Sequence, residues 1–280
     1  MPLILPRALL VLLLSLTAFG QRSGTQRAAW NQPLKPFRVI ANVYYVGMSG
    51  VTSFLITTPQ GDILLDGGLP ESAPLIEKNI SALGFHLKDV KYLLNSHAHF
   101  DHAGGLAELK RLSGAQLIVS ERDSGTIKRG GPSMPAVSVN RVIEDNGVVQ
   151  LGGTSLTAHL TPGHTPGCTT WTMPVTENGK TYNVVFFCST TVAGNRLVNN
   201  RQYPHIVSDY EQSFAKLRQL PCDVFLAPHG GFFHLDDKRA LLAKHGPNPF
   251  INPTEFRAFI DESQQDFERE LKRQQAASAK

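Results

Sequence analysis

The chain has 280 residues, 41% of them hydrophobic and 18% charged, with a formal net charge of +4. That balance describes a globular protein with enough apolar matter for a sizeable core, and it excludes disordered and fibrous chains. Basic residues are scattered rather than gathered into a stripe, which argues against a nucleic-acid partner, while mild attraction to small anions stays open.

In chain order, Arg7 stands before the apolar run Ala8-Leu9-Leu10-Val11-Leu12-Leu13-Leu14-Ser15-Leu16, and Ala18-Phe19-Gly20 places small residues at the spacing of a cleavage site. Residues 1–20 therefore read as a secretory signal peptide and 21–280 as the mature domain. The run is short for a membrane span and no other long apolar run exists, so no membrane attachment is expected after its removal. A retained anchor is the alternative. Phe37 to Ile40, Val43 to Val46 and Thr52 to Ile56 read as successive strands, the last turning at Pro59-Gln60-Gly61-Asp62 into Ile63 to Asp66. Ser72 to Leu83 has helical spacing at Ile76, Ile80 and Leu83, closed by Gly84. The apolar run Val90 to Leu94 precedes a polar cluster, Leu106 to Leu112 is a second helix, and Gln116 to Ser120 is again a strand. Gly125 to Ala136, with Gly130-Gly131-Pro132 and Met134-Pro135, has the composition of a lid. Strands follow between Val142 and Val185, then a helix at Tyr210 to Leu220, a strand at Val224 to Ala227, and an amphipathic covering helix at Thr254 to Gln275.

The polar cluster is Ser96-His97-Ala98-His99-Phe100-Asp101-His102-Ala103-Gly104-Gly105. Imidazole nitrogen and carboxylate oxygen are ligands that zinc prefers. In an extended chain alternate side chains point the same way, so His97 and His99 can share one metal. Asp101 and His102 come as the chain turns into a helix and can face a second metal beside the first. The two glycines let backbone approach this point closely. The plain alternative is a solvated loop that happens to be rich in histidine. His164 lies between Pro162-Gly163 and Pro166-Gly167, and His229 follows Pro228 at the end of an apolar run. Both stand at the exit of an expected strand, and the neighbouring turn residues fix the backbone, which favours ligands over surface histidines. His86, His159, His205, His234 and His245 have no such pattern and read as structural or surface residues.

Three cysteines leave one over if two pair. Glu177-Asn178-Gly179-Lys180 is a good hairpin turn, and it brings the outer ends of its strands, Cys168 and Cys188, roughly opposite each other. A Cys168–Cys188 disulfide is therefore expected, with Cys222 a buried free thiol. Asp66, just past a strand, is expected to make a buried hydrogen bond beneath the histidine cluster.

Taken together, His97-x-His99-x-Asp101-His102, Pro162-Gly163-His164-Thr165-Pro166-Gly167 and Pro228-His229 resemble the metallo-β-lactamase superfamily, and most finely its subclass B3. The resemblance runs from Asn42-Val43-Tyr44-Tyr45-Val46-Gly47 to Asn248-Pro249-Phe250. It implies two Zn2+ ions per chain, one on His97, His99 and His164, the other on Asp101, His102 and His229. It also implies the chemistry: a hydroxide held between two zincs attacks the β-lactam amide carbonyl, polarised by the first ion, while the second stabilises the departing nitrogen. Asp101 would orient the hydroxide as well as bind metal, and no serine nucleophile would be needed. Ser189 and Thr191 fall where hydroxyls hold the substrate carboxylate, with plain strand-end hydroxyls as the other reading. Phe100 is either an apolar wall or core. The resemblance also places Ser189, not Cys188, at a position where another subclass ligates its second zinc through cysteine. Two β-rich halves, each with covering helices, point to an α/β four-layer αββα sandwich, an expectation that owes as much to the resemblance as to the pattern. β-Lactam antibiotics as small-molecule substrates, resistance to them, a periplasmic location and a monomer are the accompanying expectations.

Thioester hydrolases of the glyoxalase II type and lactonases share His-x-His-x-Asp-His and form the rival reading. Such enzymes place a bridging aspartate near Ser189, whereas no acidic residue lies between Cys188 and Asn200. A non-enzymatic zinc protein would favour saturated four-ligand sites rather than three ligands per metal.

Overall fold

Alternation along the strands shows which faces are buried. In the computed structural model, which describes residues 24–244 and 246–279, β3 (Phe54–Thr58) sends Phe54 and Ile56 into one core and Leu55 into another. Its neighbour β4 (Gly61–Leu65) does the same with Ile63 and Leu65 against Leu64. A sheet that is apolar on both faces must be covered on both. The expected signal peptide and His245 lie outside the described residues.

These strands sit in a seven-stranded sheet of order β1-β2-β3-β4-β5-β6-β7, adding β1 (Phe37–Ile40), β2 (Val43–Tyr45), β5 (Val90–Leu94), β6 (Gln116–Ser120) and β7 (Arg141–Ile143). The first four strands pair antiparallel, and β4 to β7 pair parallel. A second, five-stranded sheet has the order β12-β11-β10-β9-β8, from β8 (Val148–Leu151), β9 (Thr154–Leu160), β10 (Thr169–Glu177), β11 (Lys180–Phe186) and β12 (Val224–Leu226). Its β10–β11 hairpin turns through Asn178 and Gly179 at φ +51° and +75°, the left-handed pair a two-residue turn needs.

One core lies between the sheets and continues under α6 (Ile206–Leu217) and α8 (Glu255–Ser278). The other packs the outer face of the first sheet against α2 (Ala73–Ala82), α4 (Leu106–Ser113) and α5 (Glu121–Arg129). Helix, sheet, sheet, helix: the αββα expectation holds. Between these lie a short helix α1 (residues 24–30), the single turn α3 (Phe100–Ala103) and α7 (Leu235–Leu242). Among the described residues no helix is long and apolar enough to cross a membrane.

Three local expectations are corrected. The strand expected from Thr52 begins at Phe54, because the Thr52 N–H and Oγ1 donate instead to Pro228 O and Ala227 O. The lid-like segment is helical in its first half, since α5 runs through Gly125 to Arg129. The polar composition of α5 hides a buried face of Asp123, Ser124 and Ile127. Cys222 is free but half-buried rather than buried, with its thiol pushed up to about 12, chiefly by burial.

Helix α8 seals the second sheet through aromatic contacts. Phe267 is 2% exposed, with its ring centroid 4.8 Å from that of Tyr210 and 5.7 Å from that of Phe214. Phe267→Ala is expected to lower unfolding stability by roughly 3–5 kcal/mol in a urea titration. A loss below about 1 kcal/mol would show that the helix is a loosely held cover.

Candidate metal centre

Every sequence-predicted site residue lies past the carboxyl end of a strand. His97 and His99 follow β5, and Asp101 and His102 ride on α3, whose N-cap is His99. His164 follows β9, Ser189 and Thr191 follow β11, and His229 follows β12. Strand ends from both sheets meet here and are tied together. Thr169 N–H donates to Ser96 O at 2.8 Å and Thr52 N–H to Pro228 O at 3.0 Å, while Trp171 Nε1 donates to Asn95 O at 3.3 Å.

Hydrogen bonds fix the tautomers. Asp66 accepts from Asn95 Nδ2 at 2.9 Å, from the Ser96 N–H at 2.7 Å and from Ser96 Oγ at 2.7 Å. This is the buried hydrogen bonding expected of it beneath the cluster. Because Ser96 Oγ gives its one proton to Asp66, its 3.0 Å contact with His97 Nδ1 makes that nitrogen the donor. His97 Nε2 is left as a bare lone pair. His164 Nδ1 lies 2.8 Å from Thr191 O, which can only accept, so its Nε2 is bare too. These two Nε2 atoms are 3.1 Å apart. No proton is left to join them.

The second group repeats the pattern at His229. His229 Nδ1 faces Gly50 O at 3.2 Å, leaving its bare Nε2 3.4 Å from Asp101 Oδ2. His102 Nε2 lies 3.2 Å from the same oxygen and can donate to it, while His102 Nδ1 is buried with no partner among the described residues. In each of the two sets, His97, His99 and His164, and Asp101, His102 and His229, the candidate ligand atoms lie within 4.8 Å of one another. Where acceptor faces acceptor, at His97 with His164 and at His229 with Asp101, a cation between them would resolve the opposition.

Electrostatics agree. Burial, aided by His102, His164 and His99, holds His97 well below the ordinary imidazole range. His164 is driven to about 3, by burial first and then by His99, and burial also lowers His99. Neutral imidazole is the form that binds metal. Burial works against the charge on Asp101, but His102 and His229 outweigh it and hold the carboxyl well below the usual range. Burial also opposes protonation of His102, whose pKa is nonetheless raised by the facing Asp101.

Both sets open on a cavity of about 370 Å³ whose wall includes Ser189 and Thr191. Their hydroxyls lie 3.2 Å apart, and Thr191 also holds His164 through its carbonyl. Phe100 is 37% exposed at this cavity, so it is a wall and not core. Cys168 and Cys188 are joined in a disulfide, with Cα atoms 5.8 Å apart. Cys188 Sγ comes within 3.7 Å of His97 Nδ1, but a sulfur bonded to sulfur is no thiolate ligand. The remaining described histidines stay outside both sets; His159, for example, bonds Thr172 Oγ1 at 2.9 Å.

Several site residues escape sequence reasoning. Trp30 and Phe232 place their rings 5.1 and 5.4 Å from that of His229 and complete the apolar wall. Asn195 Nδ2 donates to His164 O at 3.0 Å, and Tyr210 OH donates to Thr191 O at 2.8 Å. None stands in a motif, and each is reached only through tertiary folding.

A family model described as the metallo-beta-lactamase superfamily matches residues 46–229. Among solved structures, BJP-1, a subclass B3 metallo-beta-lactamase of Bradyrhizobium japonicum, superposes with a TM-score of 0.86 at 44% identity, covering 89% of this chain and 98% of that one. The native FEZ-1 metallo-beta-lactamase from Legionella gormanii gives a TM-score of 0.86 at 43% identity, with 88% and 98% covered. A hydroxyacylglutathione hydrolase of Maricaulis maris is 34% identical over 86 residues, spanning 31% of this chain and only 30% of that protein.

Asp66 is the deepest support of the cluster. Asp66→Ala strands a buried amide, a buried N–H and a buried hydroxyl, each worth about 1–3 kcal/mol when left unpaired. The variant is expected to lose roughly 3 kcal/mol or more in chemical denaturation of the metal-free protein. A loss below about 1 kcal/mol would show that water replaces the carboxylate at no cost.

Proposed function

The chain belongs to the metallo-beta-lactamase superfamily and, within it, to subclass B3, and from that footing we propose that it is a zinc-dependent hydrolase opening the amide bond of β-lactam antibiotics. The observation that carries the reading is the pair of facing three-donor sets on one cavity, with bare lone pairs opposed at 3.1 Å. His97, His99 and His164 would hold one zinc ion, and Asp101, His102 and His229 a second. Three protein donors per ion leave coordination positions open to water and substrate, as a catalytic zinc site requires. When bound, such ions supply Lewis acidity and a water acidic enough to be a nucleophile near neutral pH.

The chain's own residues do the positioning. Asp101, ionised and flanked by His102 and His229, orients the attacking water as well as binding metal. The Ser189 and Thr191 hydroxyls donate to the substrate carboxylate from the cavity wall, while Trp30, Phe100 and Phe232 take up the apolar body of the antibiotic and exclude water from it. No nucleophilic side chain enters the reading, so no covalent acyl-enzyme forms.

The signal-like residues before Gln21 and the Cys168–Cys188 disulfide support export to the periplasm, where disulfides persist and where the activity would confer resistance. Residues 21–280 then act as the catalytic domain, as a monomer.

Purified protein loaded with zinc is expected to open nitrocefin and a carbapenem, to lose that activity to a chelator and regain it on adding zinc, and to contain two zinc ions per chain by elemental analysis. A stable content of one would remove the second-metal role. Absence of ring opening, together with turnover of a thioester or lactone, would move the assignment to a glyoxalase II-type or lactonase hydrolase. Ser189→Ala should raise KM roughly tenfold, the worth of one hydrogen bond to a charged group of about 1.5 kcal/mol, with kcat little changed.

A further inference from the structure

We propose that Asp123 is a positioning residue for the metal centre, one carboxylate that locks together the two separate loops carrying His97, His99 and His164. The proposal rests on reading that triad as a metal site. Asp123 lies in the first turn of α5 and is 2% exposed. Its Oδ2 accepts the Ala98 N–H at 2.9 Å and Thr165 Oγ1 at 2.8 Å, and its Oδ1 accepts the Gly167 N–H at 2.9 Å. Ala98 is the residue between His97 and His99, and Thr165 directly follows His164. A single side chain is thus bonded one residue away from all three donors of one set, across sequence separations of 25 and 42 residues.

The chemistry of these contacts demands a carboxylate. All three partners donate, so the group at position 123 must accept on both oxygens. An amide there would turn an NH2 toward at least one donor. Gly167 is part of the same device. A Cβ at that position would stand 2.5 Å from Asp123 Cγ and clash with Ser120 Oγ, so only glycine lets the loop close on the carboxylate. Ser120 Oγ completes the clamp by donating to Gly167 O at 2.6 Å.

Asp123 does not line the cavity and makes no bond to Asp101, His102 or His229, whose nearest partners are one another and Gly50 O. Its direct bonds therefore fall on one of the two sets, and the other is reached only indirectly, through the α3 backbone that follows His99. It fixes the gap between the loop of His97 and the loop of His164 and leaves the Asp101 set to other supports. A general structural strut would not discriminate between them.

The test isolates each set in turn. In an Asp101→Ala background, which leaves only the His97, His99 and His164 set intact, Asp123→Asn is expected to weaken zinc affinity 10- to 100-fold, read by competition with a chromophoric chelator. In a His164→Ala background, which leaves only the Asp101 set, the same change should shift affinity less than about threefold. Far-ultraviolet circular dichroism of the metal-free proteins reports whether each variant is folded. Should Asp123→Asn fail to fold, Thr165→Val, which deletes one of the three bonds, is expected to give the same one-sided loss at several-fold size. Unchanged affinity in the Asp101→Ala background, or equal losses in both backgrounds, overturns the proposal. Zinc uptake absent from the unmodified chain overturns the metal reading itself, and with it this inference.

Discussion

Bare imidazole lone pairs and an ionised carboxylate oxygen face one another on one cavity, and the rest of the molecule is arranged to keep them there. Left alone, such groups would turn away or take up protons and water. They are held by bonds on their far sides: Ser96 behind His97, Thr191 O behind His164, Gly50 O behind His229. Each of these bonds takes up the one proton of a neutral ring, so orienting the imidazole and baring its inner nitrogen are a single act. Burial reinforces it by keeping the rings of His97, His99 and His164 neutral.

Two sheets are needed because no one sheet presents all of these groups. Parallel pairing of β4 with β5 carries Asp66 and the His97 loop to one edge, and parallel pairing of β11 with β12 carries Ser189 and His229 to the facing edge. The core between the sheets sets their separation, and backbone bonds such as Thr169 N–H to Ser96 O and Thr52 N–H to Pro228 O set their register at the site. Packing thereby becomes catalytic geometry. A close-packed interior transmits displacement, so a cavity beneath the strand ends would be felt at the histidines.

Much of this is legible in the chain. The His97 to His102 segment is readable because its spacing is local: period two along an extended stretch, then the first turn of a helix. His164 and His229 are readable through the proline and glycine that flank them, and the disulfide through its hairpin. What stays hidden is whatever depends on distant partners. Asp123 meets Ala98 and Thr165 from 25 and 42 residues away, and Trp30 reaches His229 from the opposite end of the chain. The α5 helix is masked by Ser, Gly, Thr and Lys, whose polar character reads as loop although three of its side chains are buried. The strand expected at Thr52 fails for a related reason, since tertiary bonds to Ala227 and Pro228 claim the groups a ladder would use.

Two buried carboxylates just behind the ligands, Asp66 and Asp123, complete the electrostatic design. Without metal, burial raises the pKa of each, against the pull of the donors that surround them. Two dications, held as proposed, would meet only one carboxylate among their donors, that of Asp101, and a positive excess would remain in a medium that screens it poorly. Ionised Asp66 and Asp123, one layer behind the histidines, would offset part of that excess without occupying a coordination position. The remainder would face the cavity and favour an anionic group on whatever binds there. Placed behind the histidines and bonded to the loops that carry them, such charge would stabilise metals held there and stiffen their cage through the same hydrogen bonds.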